Sequence, residues 1–260
     1  MTRPAVPPAL PAARGLREPA RHALTVGPCT FEVADEAIVL GRLLPPEPRS
    51  SDVLGEPVRR GAAELVARGA AVVEVPMPEE VPPSVVATSI AALVTDLGGA
   101  PVVVATSETA GAEAALAAGA AAVLPTAPPS AGLLAAIAAV GAGLVLPVEA
   151  WPGADLSRIT EVAVAASAAG VPSERLLIDV GLAATLGPPP GLPLLATDPR
   201  GTDPRSDEPL ARGQRSAGFA LAIAGGARLL RTTDPRTARR TSVTLAAVRR
   251  ARMRHHRMPA

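Results

Sequence analysis

The stretch EPVRRGAAELVARGAAVVEV at residues 56–75 decides the fold, because it contains a helix, a stop signal and a strand in that order. The spacing of its apolar residues predicts a helix over residues 56–68, and Gly69 suits the left-handed cap at which such helices end. The run rich in β-branched residues at 71–75 predicts a buried strand. Such helix-to-strand units build parallel α/β sheets.

The same unit recurs along the chain. Helices predicted over residues 109–118 and 155–169 also stop at a glycine, Gly119 and Gly170. The turns ARGA at 67–70, AAGA at 117–120 and AGGA at 224–227 are alike, and each leads into a strand. Eight strands close a (β/α)8 TIM barrel, and eight are predicted here: residues 37–43, 71–75, 102–106, 121–124, 143–148, 176–180, 194–197 and 228–231.

The length of 260 residues fits one such barrel with short flanking segments. We predict a flexible proline-rich leader over residues 1–24, the barrel over 25–252 and a basic tail over 253–260. Residues 181–193 include three consecutive prolines, which predicts an extended strap in place of the sixth crossover helix. Residues 200–215 predict a mobile loop at the rim where barrel active sites lie. No stretch reads as a signal peptide or a membrane span.

Composition excludes several classes of function. The net charge of +1 provides no general attraction for nucleic acid, and we predict no nucleic-acid partner. All 25 cationic side chains are arginines, so mechanisms that need a lysine are excluded. The single cysteine, Cys29, rules out an internal disulfide and a multi-cysteine metal site. A cytoplasmic location is the simplest interpretation, and His255 and His256 are expected to lie solvated in the basic tail.

Four segments resemble dihydropteroate synthase in their order and spacing. The segment GVPSERLLIDVG at residues 170–181 is the most specific, since the sixth strand of that family follows such a turn and ends in Asp-Pro-Gly. The others are the strand around Gly41, the helix and strand at 65–74, and GARLLRTTD at 226–234. The last is similar to the family's closing Gly-Ala-x-x-x-Arg-Val-His-Asp. This resemblance extends over most of residues 37–252.

The resemblance implies a transferase of folate biosynthesis that joins a pterin pyrophosphate to 4-aminobenzoate at the mouth of the barrel. In that family carboxylates and an Asn hold the pterin, while cationic groups and Mg²⁺ stabilise the leaving pyrophosphate. Mg²⁺ is the cofactor that the resemblance implies, but the position of its Asn ligand is Leu44 here. We therefore predict no metal site.

Most polar positions of the family's pocket are replaced. The family's Asp on the third strand falls on Ala105, and its Asn-Asp pair after the fourth falls on Leu124 and Pro125. The pterin-binding lysine falls at Arg200, and the phosphate-binding histidine falls at Thr233. These replacements predict low or no synthase activity, and we assign no catalytic residue.

Five polar side chains at these positions are candidate contacts for a pterin or an anion: the retained Asp179, Arg231 and Thr106, and the replacements Glu74 and Arg200. We expect Asp179 to anchor a polar edge and Arg231 to contact an anion. Structural alternatives stand beside these roles. Asp179 would cap a turn, Arg231 would pair with Asp179 or Asp234, Glu74 would be a carboxylate on the rim, and Thr106 would cap a helix.

Three interpretations of function stay open. The first is a pterin-binding barrel that is deficient in the synthase reaction, that is, a pseudoenzyme. The second is a non-catalytic scaffold or partner subunit, as a homodimer or as a heterodimer with an active synthase. The third is an active synthase with a rebuilt pocket or, related to it, a pterin-binding methyltransferase of the same superfamily.

Overall fold

Eight parallel strands form a closed barrel, as the alternating sequence pattern predicts. The computed structural model describes residues 22–27, 29–33, 36–44, 55–78, 80–147, 156–179, 194–197 and 209–256. In chain order, the barrel strands are β3 Ile38–Arg42, β4 Val72–Pro76, β5 Val102–Ala105, β6 Ala122–Leu124, β7 Gly143–Pro147, β8 Leu176–Asp179, β9 Leu194–Thr197 and β10 Leu229–Thr232. Each predicted strand is confirmed to within about one residue at either end.

Helices alternate with these strands and cover the outside of the barrel. Those described are α1 Glu56–Ala67, α2 Pro83–Asp96, α3 Thr109–Ala117, α4 Ala131–Ala139, α5 Leu156–Ala168, α6 Pro209–Ala224 and α7 Pro235–His256. Strand residues that point outward, such as Val104 and Leu146, pack with helix residues such as Ile90 and Ile137. The fold is therefore the α/β TIM barrel that the sequence predicts.

The repeated helix-to-strand turn is confirmed as a Schellman motif. After α1, Ala70 donates its N–H to the carbonyl of Leu65, and Gly69 donates to that of Val66. This pair of bonds recurs after α3, α5 and α6. The glycine takes a φ between 100° and 108° each time, which residues with a Cβ rarely adopt. The glycines are therefore what ends each helix and returns the chain to the barrel.

An antiparallel hairpin precedes the barrel and was not predicted. Its strands are β1 His22–Val26 and β2 Cys29–Val33. Leu24, Val26 and Val33 join the apolar cluster of inward-facing barrel residues. A Cβ at Gly27 would lie 2.6 Å from the carbonyl oxygen of Ala121, just before β6, so the hairpin closes the amino-terminal end of the barrel.

Three predicted boundaries shift. The leader prediction ends at residue 24, but residues 22–24 already belong to β1 because they pair with β2. The tail prediction begins at residue 253, but α7 continues to His256, since nothing in residues 253–256 stops a helix. The loop prediction over 200–215 overlaps α6, which begins at Pro209, a residue suited to a first helical turn. The predicted strap at 181–193 lies outside the described residues.

None of the described helices is long and apolar enough to cross a membrane.

Candidate functional site

Polar and charged side chains collect inside the barrel at the carboxyl ends of five neighbouring strands. Alternation along a strand sends every second side chain inward. Leu40, Val72, Leu177 and Leu229 share the inner apolar cluster, so the residues two positions further along their strands also face the interior. The inward-facing residues identified in this way are Arg42, Glu74, Asp179 and Arg231. Thr197, at the end of β9, completes the group.

Arg231 lies at the centre of this group and is 8% exposed. Its Nε donates to Glu74 Oε2, and its Nη2 donates to Glu74 Oε1 at 2.6 Å. Its Nη1 reaches Asp179 Oδ2 at 3.5 Å. The planar guanidinium thus donates two parallel hydrogen bonds to the Glu74 carboxylate, the geometry in which such pairs are strongest. It also contacts the carboxylate of Asp179.

Glu74 is buried within this group of side chains, so its interpretation as a carboxylate on the rim is wrong. It is 1% exposed, because alternation on β4 turns it into the barrel between the outward-facing Val73 and Val75. Besides Arg231 it attracts Arg42, whose Nε lies 3.6 Å from Glu74 Oε1. Burial of a carboxylate is costly unless cations and hydrogen-bond donors surround it, and here they do.

Asp179 ends β8 and is 4% exposed. Its Oδ2 accepts a hydrogen bond of 2.6 Å from Thr197 Oγ1 and faces Arg231. The two contacts come from neighbouring strands on one side, β9 and β10, and orient the carboxylate within the mouth of the barrel. We call Arg42, Glu74, Asp179, Thr197 and Arg231 the mouth network.

The mouth network balances its own charge. Two guanidinium groups face two carboxylates, so the four named charges sum to zero. On the opposite side of the barrel, β5, β6 and β7 turn Ala105, Leu124 and Val145 inward. The interior therefore has a polar half and an apolar half.

Thr106 lies on the apolar side, directly after β5, and is 1% exposed. Its Oγ1 accepts a hydrogen bond from the Glu108 N–H at 3.2 Å, which orders the turn before α3. Beside it, Ser107 pairs with Thr126 at 2.6 Å. These contacts match the predicted role at a helix start, although the residue in the capping position is Glu108.

Asp234 pairs outside the mouth network. Its Oδ2 lies 3.5 Å from Nη2 of the buried Arg215, on α6, and its Oδ1 accepts from the Thr237 N–H at 3.2 Å. Asp234 thus caps α7 and fastens it to α6. Of the two partners suggested for Arg231, the structure shows Asp179.

Comparison with solved structures identifies the fold. The Burkholderia cenocepacia dihydropteroate synthase, solved with 7,8-dihydropteroate, has a TM-score of 0.69 at 23% identity, over 90% of this chain and 98% of that one. The Xanthomonas albilineans enzyme, solved with 4-aminobenzoic acid, has a TM-score of 0.67 at 23% identity, over 92% and 100%. The Mycobacterium tuberculosis protein Rv1207 gives 0.64 at 24% identity, over 83% and 93%. The chain has the dihydropteroate synthase fold. No family model and no curated protein matches it by sequence.

Of the predicted site residues, Asp179 and Arg231 contact each other, and Glu74 joins them. Thr106 belongs to a separate turn, and Arg200 lies outside the described residues. Sequence reasoning missed Arg42, Thr197 and Arg215. Alternation along β3 was a signal for Arg42, because its neighbour Gly41 faces outward. The partners of Thr197 and Arg215 depend instead on how distant strands and helices pair.

The residues that the structure describes do not fit a magnesium ion. Leu44, at the position of the family's Asn, has no donor atom in its side chain. No group of three or more His, Cys, Asp and Glu residues within the described part of the chain could hold a metal ion. Glu74 and Asp179 already share Arg231, and Arg42 also faces Glu74, so these two cations balance the two carboxylates without a metal.

Proposed function

We propose that the chain is a divergent relative of the dihydropteroate synthases that binds a pterin-like heterocycle at the mouth of its barrel and does not catalyse the synthase condensation. The observation that carries this proposal is the engagement of Arg231 by Glu74 and Asp179. The resemblance implies that Arg231 contacts the leaving anion, but here its guanidinium binds two carboxylates.

Without a free cationic site at the mouth, the departing pyrophosphate would not be stabilised. Departure of pyrophosphate develops negative charge, and an enzyme accelerates it with cations aimed at that charge. In the mouth network the two arginines are balanced by two carboxylates, and no ligand set for Mg²⁺ is described. Balanced charges give little net stabilisation to an incoming polyanion, so we expect the condensation to be lost.

Asp179 supports retention of heterocycle binding. A pterin presents adjacent N–H donors, and a carboxylate is the side chain that accepts from such an edge. Asp179 lies at the carboxyl end of a barrel strand, where barrel active sites are found, and Thr197 and Arg231 fix its orientation. The apolar residues of β5, β6 and β7 would cover the faces of a flat ring.

A second candidate is a non-catalytic partner subunit, as a homodimer or in a heterodimer with an active synthase. The observation that favours it is the mouth network, in which Glu74, Asp179 and Arg231 already pair with one another and with neighbouring polar side chains. In either form we place the protein in the cytoplasm, with a role in folate metabolism.

Calorimetric titration of the full chain with a pterin separates the two candidates. We expect saturable binding that Asp179→Asn weakens by about tenfold or more, the loss expected for a hydrogen bond to a charged group. Asp96→Asn, the same change on the exposed face of α2, is the matched control and should leave affinity unchanged. Absence of saturable heat would leave the partner-subunit candidate.

A direct assay tests the missing reaction. Incubation of stoichiometric protein with pterin pyrophosphate, 4-aminobenzoate and Mg²⁺ should yield no dihydropteroate above the uncatalysed background. An active synthase run in parallel is the positive control. Formation of product at a rate similar to that control would contradict the proposal and favour an active synthase with a rebuilt pocket.

A further inference from the structure

A groove lined by arginines lies outside the barrel, between α1 and α7. It encloses about 270 Å³ and is lined by Arg68, Arg236, Arg239, Arg240, Val243 and Thr244. Four of the six lining residues are cationic and none is acidic. All four arginines are exposed, and no ion pair to any of them is present within the described residues.

The sequence of α7 produces this concentration of charge. The helix has seven arginines and no acidic residue in 22 positions. Arg236, Arg239 and Arg240 are spaced at i, i+3 and i+4, which places them on one face of the helix. Arg68 faces them from the end of α1. Gly69 makes this approach close, because a Cβ there would lie 2.6 Å from Cδ of Arg239.

A structural explanation accounts for only part of this charge. The C-terminal end of α1 has a partial charge of roughly −0.5, which favours one nearby cation. Four arginines exceed this charge several-fold, and like charges that share a groove repel each other. A bound anion would relieve that repulsion. Guanidinium groups also match the oxygens of a phosphate in pairs, which makes arginine the preferred side chain for phosphate recognition.

We propose that this groove binds a compact anion with several phosphoryl groups. Its volume is slightly below the roughly 300 Å³ at which small-molecule pockets begin, which suits a small ligand and not an extended chain. No aromatic side chain lines it, so it offers no surface on which nucleic-acid bases would stack.

The groove is separate from the mouth of the barrel. The helix α1 runs from the end of β3 back to the start of β4, so Arg68 lies near the amino-terminal end of the barrel. Ser242, farther along α7, binds the backbone of Ala37 just before β3, so α7 runs from the carboxyl end of β10 towards this end. The groove lies outside the barrel and no residue of the mouth network lines it, so the two sites are tested independently.

Calorimetry with inorganic triphosphate, in a phosphate-free buffer of low ionic strength, tests the site. We expect one saturable binding event in the full chain. The double variant Arg239→Gln/Arg240→Gln should weaken it by at least about tenfold, because two charge-assisted contacts are lost. Arg60→Gln/Arg252→Gln removes the same charge from exposed positions of α1 and α7 outside the groove, and should change affinity by less than about twofold.

Two results would overturn the proposal. The first is no saturable heat at about 1 mM triphosphate, which would mean that the affinity is too weak for a specific binding site. The second is an equal loss of affinity in both double variants, which would indicate a general effect of charge. Circular dichroism of each variant confirms that the fold is intact, as expected for changes at exposed side chains.

Discussion

The two halves of the barrel interior differ in what fills them near the carboxyl ends of the strands. The half formed by β8, β9, β10, β3 and β4 contains the mouth network of paired charges, while β5, β6 and β7 contribute Ala105, Leu124 and Val145. The polar half depends on long-range partners for its stability, and the apolar half depends on packing. The two halves therefore respond differently to substitution.

Removal of the central cation should have the largest effect. Arg231→Met leaves Glu74 and Asp179 buried without the cation that they share, and the free energy of unfolding should fall by about 3–5 kcal/mol, measured in urea. The control is the triple variant Glu74→Leu, Asp179→Leu and Arg231→Met, which removes all three charges and should recover most of this loss. A loss below about 1 kcal/mol for the single variant would show that the network is not stabilised by charge pairing.

Truncation in the apolar half should have a somewhat smaller effect. Leu124 is 2% exposed, and Leu124→Ala should cost about 3 kcal/mol because it removes apolar contacts and leaves a cavity. Leu124→Met keeps the volume and should cost less than about 1.5 kcal/mol. Equal costs for the two variants would argue against tight packing at this position.

Loss of the hydroxyl that orients Asp179 should cost less again. Thr197→Val keeps the shape of the side chain but removes the 2.6 Å hydrogen bond to Asp179 Oδ2. The expected loss in thermal or urea unfolding is about 1–2 kcal/mol. Thr197→Ser retains the donor and should recover part of that loss. If serine and valine were equivalent, the hydrogen bond would contribute nothing measurable.

Substitution at an exposed ion pair should lower the free energy of unfolding least. Arg59 on α1 contacts Asp96 on α2 at 3.2 Å, and both side chains are more than one third exposed. Asp96→Asn should lower stability by less than about 0.5 kcal/mol, and high salt should remove the difference. A loss as large as that of Arg231→Met would break the distinction between buried and exposed pairs.

Local signals were sufficient for the barrel and insufficient for its site. Periodicity and capping glycines such as Gly69 and Gly119 act within a few residues, so the sequence predicts the strands and turns closely. The hairpin was missed, although the Gly-Pro dipeptide between its two five-residue strands is a turn signal.

The site depends on pairings that no local pattern specifies. Glu74 and Arg231 are 157 residues apart in the chain, and their contact exists only once the barrel closes through β10 and β3. The resemblance named Arg231 as a candidate contact, but its engagement by Glu74 appears only in the structure.

The affinity for a pterin with and without its pyrophosphate decides whether the mouth of the barrel keeps a leaving-group site. Calorimetry should use the Arg239→Gln/Arg240→Gln background, so that the groove between α1 and α7 does not contribute to anion binding. Because the charges of the mouth network sum to zero, we predict dissociation constants that agree within about threefold. Binding of the pyrophosphate ester more than about tenfold tighter would show that a leaving-group site survives, and would contradict the account.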